Sequence, residues 1–183
     1  MGSFQLWLES TLSSAEPVAT FMRTDWGWPA MESVHFIGLT LLFGSIAVWD
    51  LRLLGMAKRV PVAAFHRLVP FAVLGFTINI ASGSTFLMTE PNQYIYNPAF
   101  HFKMLFVALA GLNVLAFYLT MFRRVSTLAP GAPTPYGAKI SGAASLVFWT
   151  AVIVCGRLIT FYRPNMCRPG AQIGFIADCI LRP

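Results

Sequence analysis

Four basic side chains, His35, His101, Lys103 and Arg157, stand inside stretches that are otherwise almost wholly apolar. An ionisable residue in such a run is costly to bury in a bilayer and is by default a functional candidate. His35 lies one helical turn into its run, His101 near the start of another, and Arg157 about one turn before the end of a third. With a rise of about 1.5 Å per residue and successive runs antiparallel, these three share one depth. Lys103 lies slightly deeper, and its long stem reaches toward the interface.

Two imidazoles on different helices at one level, with two cations beside them, suit a ligand that takes two nitrogen donors and carries anionic groups. Haem b has both properties. Its iron accepts axial imidazoles, here His35 and His101, and its propionates accept charge-assisted hydrogen bonds from Arg157 and Lys103. Facing helices of a four-helix bundle hold cofactors of this kind, and Gly38, Gly83 and Gly156 would leave room for the ring. Copper is the alternative: Met31, one turn before His35, would add a thioether to the two imidazoles, although Arg157 would oppose a metal cation. Against both stands the plainer account of a hydrogen-bonded histidine near a span end and a snorkelling lysine.

The elements that must position these residues follow from composition. The chain has 183 residues, 56% hydrophobic and only 11% charged, with a mean hydropathy of +0.64. A soluble domain would carry about a quarter charged residues. Apolar runs at about 31–54, 66–88, 99–122 and 139–162 are each long enough to cross a hydrocarbon core of about 30 Å. The expected fold is therefore all-α, a polytopic four-transmembrane-helix bundle over residues 31–162. An interfacial arm over 1–30 precedes it, with an apolar cluster from Phe4 to Leu12 and the stretch Asp25-Trp26-Gly27-Trp28-Pro29 at headgroup level. No basic n-region opens the chain, so a cleavable signal peptide is not expected.

The net charge of +6 does not call for nucleic acid, because the basic residues gather in two connections. Arg52, Lys58, Arg59 and Arg67 flank the first, and Arg123, Arg124 and Lys139 the third; the second, TEPNQYIYNP, has no lysine or arginine. The positive-inside rule makes the first and third connections cytoplasmic and both termini external. The tail 163–183 then lies in an oxidising compartment, where Cys167 and Cys179 are expected to form a disulfide worth about 3 kcal/mol. Metal ligation by this pair is the alternative, and Cys155, inside the fourth run, reads as a small apolar core residue.

A second polar group, Asp50, Arg52, His66 and Arg67, gathers at the cytoplasmic end. A structural ion pair between Asp50 and an arginine is the default there, and a proton relay or quinone-headgroup site the sharper alternative. Asn79, Ser82, Ser84 and Thr85 on the second run suggest hydrogen bonds between helices, and the glycines within runs suggest close helix approach.

The segments WLES, WGWP, ESVHFIGLTLLFGS and DLRLLG resemble a family of uncharacterised bacterial four-span inner-membrane proteins. More distantly, His35 together with His101-Phe102-Lys103-Met104-Leu105 is similar to the HemJ type of protoporphyrinogen oxidase and to the CopD membrane domain. The HemJ resemblance implies haem b and porphyrinogen oxidation with His35, His101 and Lys103 as key positions; the CopD resemblance implies copper import or resistance. The N-terminal arm, Arg157 and the two-cysteine tail are not part of the HemJ pattern.

Taken together, the expectation is a b-type haem protein of the bacterial inner membrane that takes part in electron transfer. A quinone or a periplasmic redox protein would be its partner. Copper handling, or a non-catalytic subunit anchoring an oligomer or larger membrane complex, are the rivals.

Overall fold

The computed structural model describes residues 16–162. Among them the chain is all-α, with α1 Glu16–Met22, α2 Gly27–Leu54, α3 Val62–His66, α4 Val69–Thr89, α5 Pro91–Ile95, α6 Pro98–Thr120, α7 Phe122–Ser126 and α8 Tyr136–Leu158. Four segments are long and apolar enough to cross a membrane: α2, α4 with α3 leading into it (Ala64–Thr89), α6 and α8. The chain is a multi-pass membrane protein built on a four-helix bundle. Many large apolar side chains face outward, Ile37, Phe71, Leu112 and Val147 among them, as a lipid-facing surface requires.

Local sequence sets the helix ends. Asn97 caps α6, its side chain accepting from the Ala99 N–H at 3.0 Å, and Pro98 fills the first helical position, where a missing N–H costs nothing. Pro135 precedes α8, so the fourth span begins at Tyr136 and not at 139. Gly55 ends α2 with φ 107°, a left-handed conformation that few other residues adopt cheaply. The first span likewise starts earlier than the hydropathy suggests, at Gly27, on a tight elbow where the Thr24 hydroxyl accepts from the Gly27 N–H. The apolar cluster Phe4 to Leu12, the tail 163–183 and the expected Cys167–Cys179 disulfide lie outside the described residues.

Packing makes an open arc rather than a closed ring. The extensive contacts are α2 with α4, α6 with α8, and α2 with α8, while α4 and α6 make no comparable contact. Around the bundle the order is α4, α2, α8, α6, with a gap between the two outer members. The tightest seam is α2 against α4. A Cβ on Gly75 would stand 2.5 Å from the Gly38 carbonyl oxygen and 2.5 Å from the Leu42 nitrogen, and one on Gly38 would stand 2.7 Å from the Ile78 side chain. Gly38 is thus spent on helix contact and leaves no room for a cofactor.

Two apolar clusters fill the interior. Leu42, Ala110, Trp149 and Val152 hold the middle. Leu53, Val62, Phe117, Val125 and Ala138 hold the end that carries the basic connections, called here the basic end. The two basic connections touch there, the Gly131 N–H donating to the Lys58 carbonyl at 2.9 Å. At the opposite end, α1 packs on α4 and α2 with Ala19 and Met22 buried.

Two substitutions check this account by thermal unfolding in mild detergent. Gly75→Leu must push α2 and α4 apart and should cost about 3 kcal/mol, the upper range for overpacking, whereas Gly44→Leu, where a Cβ meets nothing within 4 Å, should be neutral. Asn97→Ala loses the cap and leaves the Ile159 carbonyl, to which Asn97 donates at 2.9 Å, without that partner. Its expected cost is about 1–3 kcal/mol.

Candidate functional site

The end opposite the basic connections holds His35. Its Nδ1 lies 2.8 Å from Ser82 Oγ on α4. The Ser82 hydroxyl donates its own hydrogen to the Ile78 carbonyl at 2.7 Å, so its oxygen must accept from His35. The imidazole therefore carries its proton on Nδ1 and presents the bare Nε2 lone pair. Phe86 meets the ring edge-on at 5.8 Å, fixing its plane. A nitrogen lone pair aimed by a hydrogen bond at the other ring nitrogen is how ligating histidines are held.

Lys103 reaches the same region from α6. Its charge is close enough to interact with His35 and with Cys155 on α8. Among the described residues it has neither an ion-pair partner nor a hydrogen bond. Glycine backbone lies beside both: a Cβ on Gly83 would stand 3.8 Å from His35 Cε1, and one on Gly156 3.7 Å from Lys103 Nζ. His35 beside Gly83 and Lys103 beside Gly156 thus bring residues of α2, α4, α6 and α8 together at this end of the bundle.

Two expected members stand elsewhere. His101 is exposed, and its Nε2 donates to the Ile95 carbonyl at the end of α5, 2.8 Å away. Ile95 sits just before α6, and that carbonyl claims the nitrogen that would otherwise reach inward. Arg157 is exposed too, its guanidinium 5.4 Å from the centroid of the Phe161 ring, a cation–π contact made with its own chain one turn on. The expected common depth of the three residues does not bring them together: His101 and Arg157 have other partners. No cluster of three or more His, Cys, Asp or Glu residues suited to a metal ion occurs among the described residues.

The basic-end group does not assemble as an ion-pair network either. Arg52 is buried and donates from Nε to the Val60 carbonyl at 3.1 Å and from Nη2 to the Lys58 carbonyl at 3.3 Å. It braces the first connection. Asp50, two residues earlier and so on another face of the helix, turns instead toward Ser145 of α8, the side chain with which it interacts. Its Oδ2 and Arg52 Nη1 are both buried without a hydrogen-bond partner. His66 lies 3.2 Å from the Tyr118 hydroxyl and packs against Trp49 and Phe122, while Arg67 is exposed.

On α4, Asn79, Ser84 and Thr85 bond to carbonyls of their own helix, at Gly75, Ile80 and Ser82. Only Ser82 reaches across. The interhelical pair that matters elsewhere is Asn113 with Ser141: the amide donates to the Ser141 carbonyl at 3.0 Å and the Ser141 hydroxyl donates to Asn113 Oδ1 at 3.1 Å. A polar residue in each of two apolar runs was the available signal for it.

Behind Asp50 the gap between α4 and α6 widens into a cavity of about 270 Å³. Trp49, Asp50 and Ser145 line its inner wall, with Trp149 above them and Asn113 on the α6 side. Comparison of the chain with protein-family models, with curated proteins and with solved structures finds no match.

Proposed function

We propose that the chain is a b-type haem protein of the bacterial inner membrane that takes part in electron transfer, with His35 as the axial ligand supplied by the protein. One observation carries this: a bare imidazole nitrogen and an uncompensated lysine stand at one end of the bundle, each beside a glycine of a facing helix. A cation inside a membrane domain calls for an anionic partner, and a haem propionate is such a partner for Lys103. Haem would supply a one-electron couple. Ser82 would keep the proton on Nδ1 and so keep Nε2 available.

His101 is not assigned as the second ligand, because its Nε2 is engaged by Ile95. Arg157 is not assigned to a propionate, because it lies on Phe161. The distant resemblance to the HemJ type agrees with His35 and Lys103 but leaves the porphyrinogen substrate without support from the geometry. The copper alternative loses His101 and gains a nearby cation, both unfavourable.

The basic connections belong in the cytoplasm by the positive-inside rule, which would put His35 and Lys103 at the periplasmic end and both termini outside. A periplasmic redox protein would meet that end directly; a quinone would meet the bundle from within the bilayer.

Absorption spectra of detergent-purified protein, oxidised and dithionite-reduced, with metal analysis of the same sample, test the proposal. The expected result is a Soret band with sharp reduced α and β bands, lost in His35→Ala and kept in His101→Ala. Lys103→Met should lower haem occupancy several-fold. A Soret band that survives His35→Ala overturns the assignment of the ligand. A colourless, metal-free, folded protein would reduce His35–Ser82 to interhelical packing and favour an anchoring subunit, and copper without haem would revive the metal-handling alternative.

A further inference from the structure

The cavity at the basic end is the second place where polarity is left unanswered. Asp50 is 3% exposed and Trp149 6% exposed. Both residues line the cavity, and Asp50 Oδ2 and Trp149 Nε1 lie just behind its wall, buried without hydrogen-bond partners. An indole N–H only donates, and leaving such a group unmatched in an apolar interior costs about 1–3 kcal/mol. The rest of the lining is overwhelmingly apolar, with Val69, Val73 and Phe76 of α4 facing Val107, Val114 and Phe117 of α6.

The entrance follows from the packing. Since α4 and α6 do not close on each other, the gap between them faces the hydrocarbon of the bilayer. A ligand that enters there must be soluble in lipid. At about 270 Å³ the cavity lies at the small end of ligand pockets. It holds a ring-sized head and leaves any long tail in the gap. The head must accept a hydrogen bond from Trp149 and make another to the Asp50 carboxyl group.

Other bilayer components fit poorly. An acyl chain answers neither polar atom, a phospholipid headgroup would bring a phosphate toward a carboxyl group in a deep apolar site, and a sterol exceeds the volume. A flat ring with oxygens at two edges and an apolar tail fits all of these constraints. The aromatic faces of Trp49, Phe65 and Phe76 offer such a ring the contacts it prefers.

We infer that the cavity between α4 and α6 binds the head of a lipid-soluble quinone or quinol, with Trp149 Nε1 and Asp50 Oδ2 as its polar contacts. The inference deepens the partner part of the proposal above but stands on this cavity alone and does not need haem.

Photolabelling of the full-length protein in lipid nanodiscs with an azido-benzoquinone bearing a decyl tail tests it, because labelling reports the site whether or not haem is present. The expected result is saturable labelling of peptides within 65–76, 107–118 and 141–149, displaced by excess decyl-benzoquinone and not by oleate. Trp149→Phe and Asp50→Leu should each raise the half-saturating concentration about tenfold, the effect of one such lost contact. Gly111 lines the cavity and a Cβ there meets nothing within 4 Å, so Gly111→Trp should plug the mouth and abolish the labelling without disturbing the helices. Because Trp149→Phe and Gly111→Trp keep the carboxylate and the packing, they decide the matter even if Asp50→Leu fails to fold. Labelling that scatters over lipid-facing positions without saturating would overturn the inference. So would equal displacement by oleate, unchanged half-saturation in the variants, or a cleft filled by a second copy of the chain.

Discussion

The bundle depends on the near-contact of two helix backbones at Gly38 and Gly75. Apolar side chains gain little by turning away from lipid, so association in a bilayer rests on close packing and on hydrogen bonds between helices. At this seam α2 and α4 approach until no Cβ fits between them. The same helix, α2, also packs on α8, where a Cβ on Gly142 would stand 3.2 Å from the Asp50 carbonyl oxygen. With α2 bound tightly on two sides and α6 docked on α8 alone, nothing draws α6 toward α4. The gap and the cavity behind it are consequences of where the glycines lie.

The polar groups sort by the same constraint. Most hydroxyls on the spans return a bond to their own helix, as Thr77 does to Val73 and Thr120 to Ala116, which removes them from any wider chemistry. Asn97, Asn113 and Ser141 tie α6 to α8 and compensate for its having only one close neighbour. Among the groups left over are a histidine nitrogen and a lysine at one end, and at the other a carboxylate oxygen and an indole N–H, with Arg52 Nη1 and Thr134 Oγ1 near the basic connections. In a medium that offers no water to answer them, these leftovers are the places to expect a ligand.

The spans were legible in the sequence because each is a continuous apolar run, and a run of that length has one economical fate in a bilayer. Helical rise converts sequence distance into an expected depth for each residue. Rotation about the helix axis has no such measure. The spans are apolar on nearly all sides, so the pattern carries no face to orient them, and an expected common level for His35 and His101 says nothing of their direction. His101 was diverted by the Ile95 carbonyl at the end of the five-residue helix α5, a stretch that reads as a plain connection. Arg157 found Phe161 in its own chain. Arg52 was taken by two connection carbonyls that become acceptors only once the chain turns back at Gly55. Asp50 and Arg52, two residues apart, were neighbours in sequence but not across a helix face.

Position along α2 separates the two unanswered sites. His35 and Asp50 are fifteen residues apart on one helix, about 22 Å at the α-helical rise, in a membrane whose apolar core is about 30 Å thick. Between them lies the cluster of Leu42, Ala110, Trp149 and Val152, and no side-chain hydrogen bond among the described residues crosses it. His35 and the cavity at Asp50 therefore stand toward opposite ends of the bundle, and each must satisfy its own leftover groups. Trp149 is the residue that joins them: its ring belongs to the dry layer, packed edge-on to Phe76, and also lines the cavity. Filling the cavity would be felt in the layer through that one side chain, which makes the packing around Trp149 the physical route by which occupancy at one end can bear on the other.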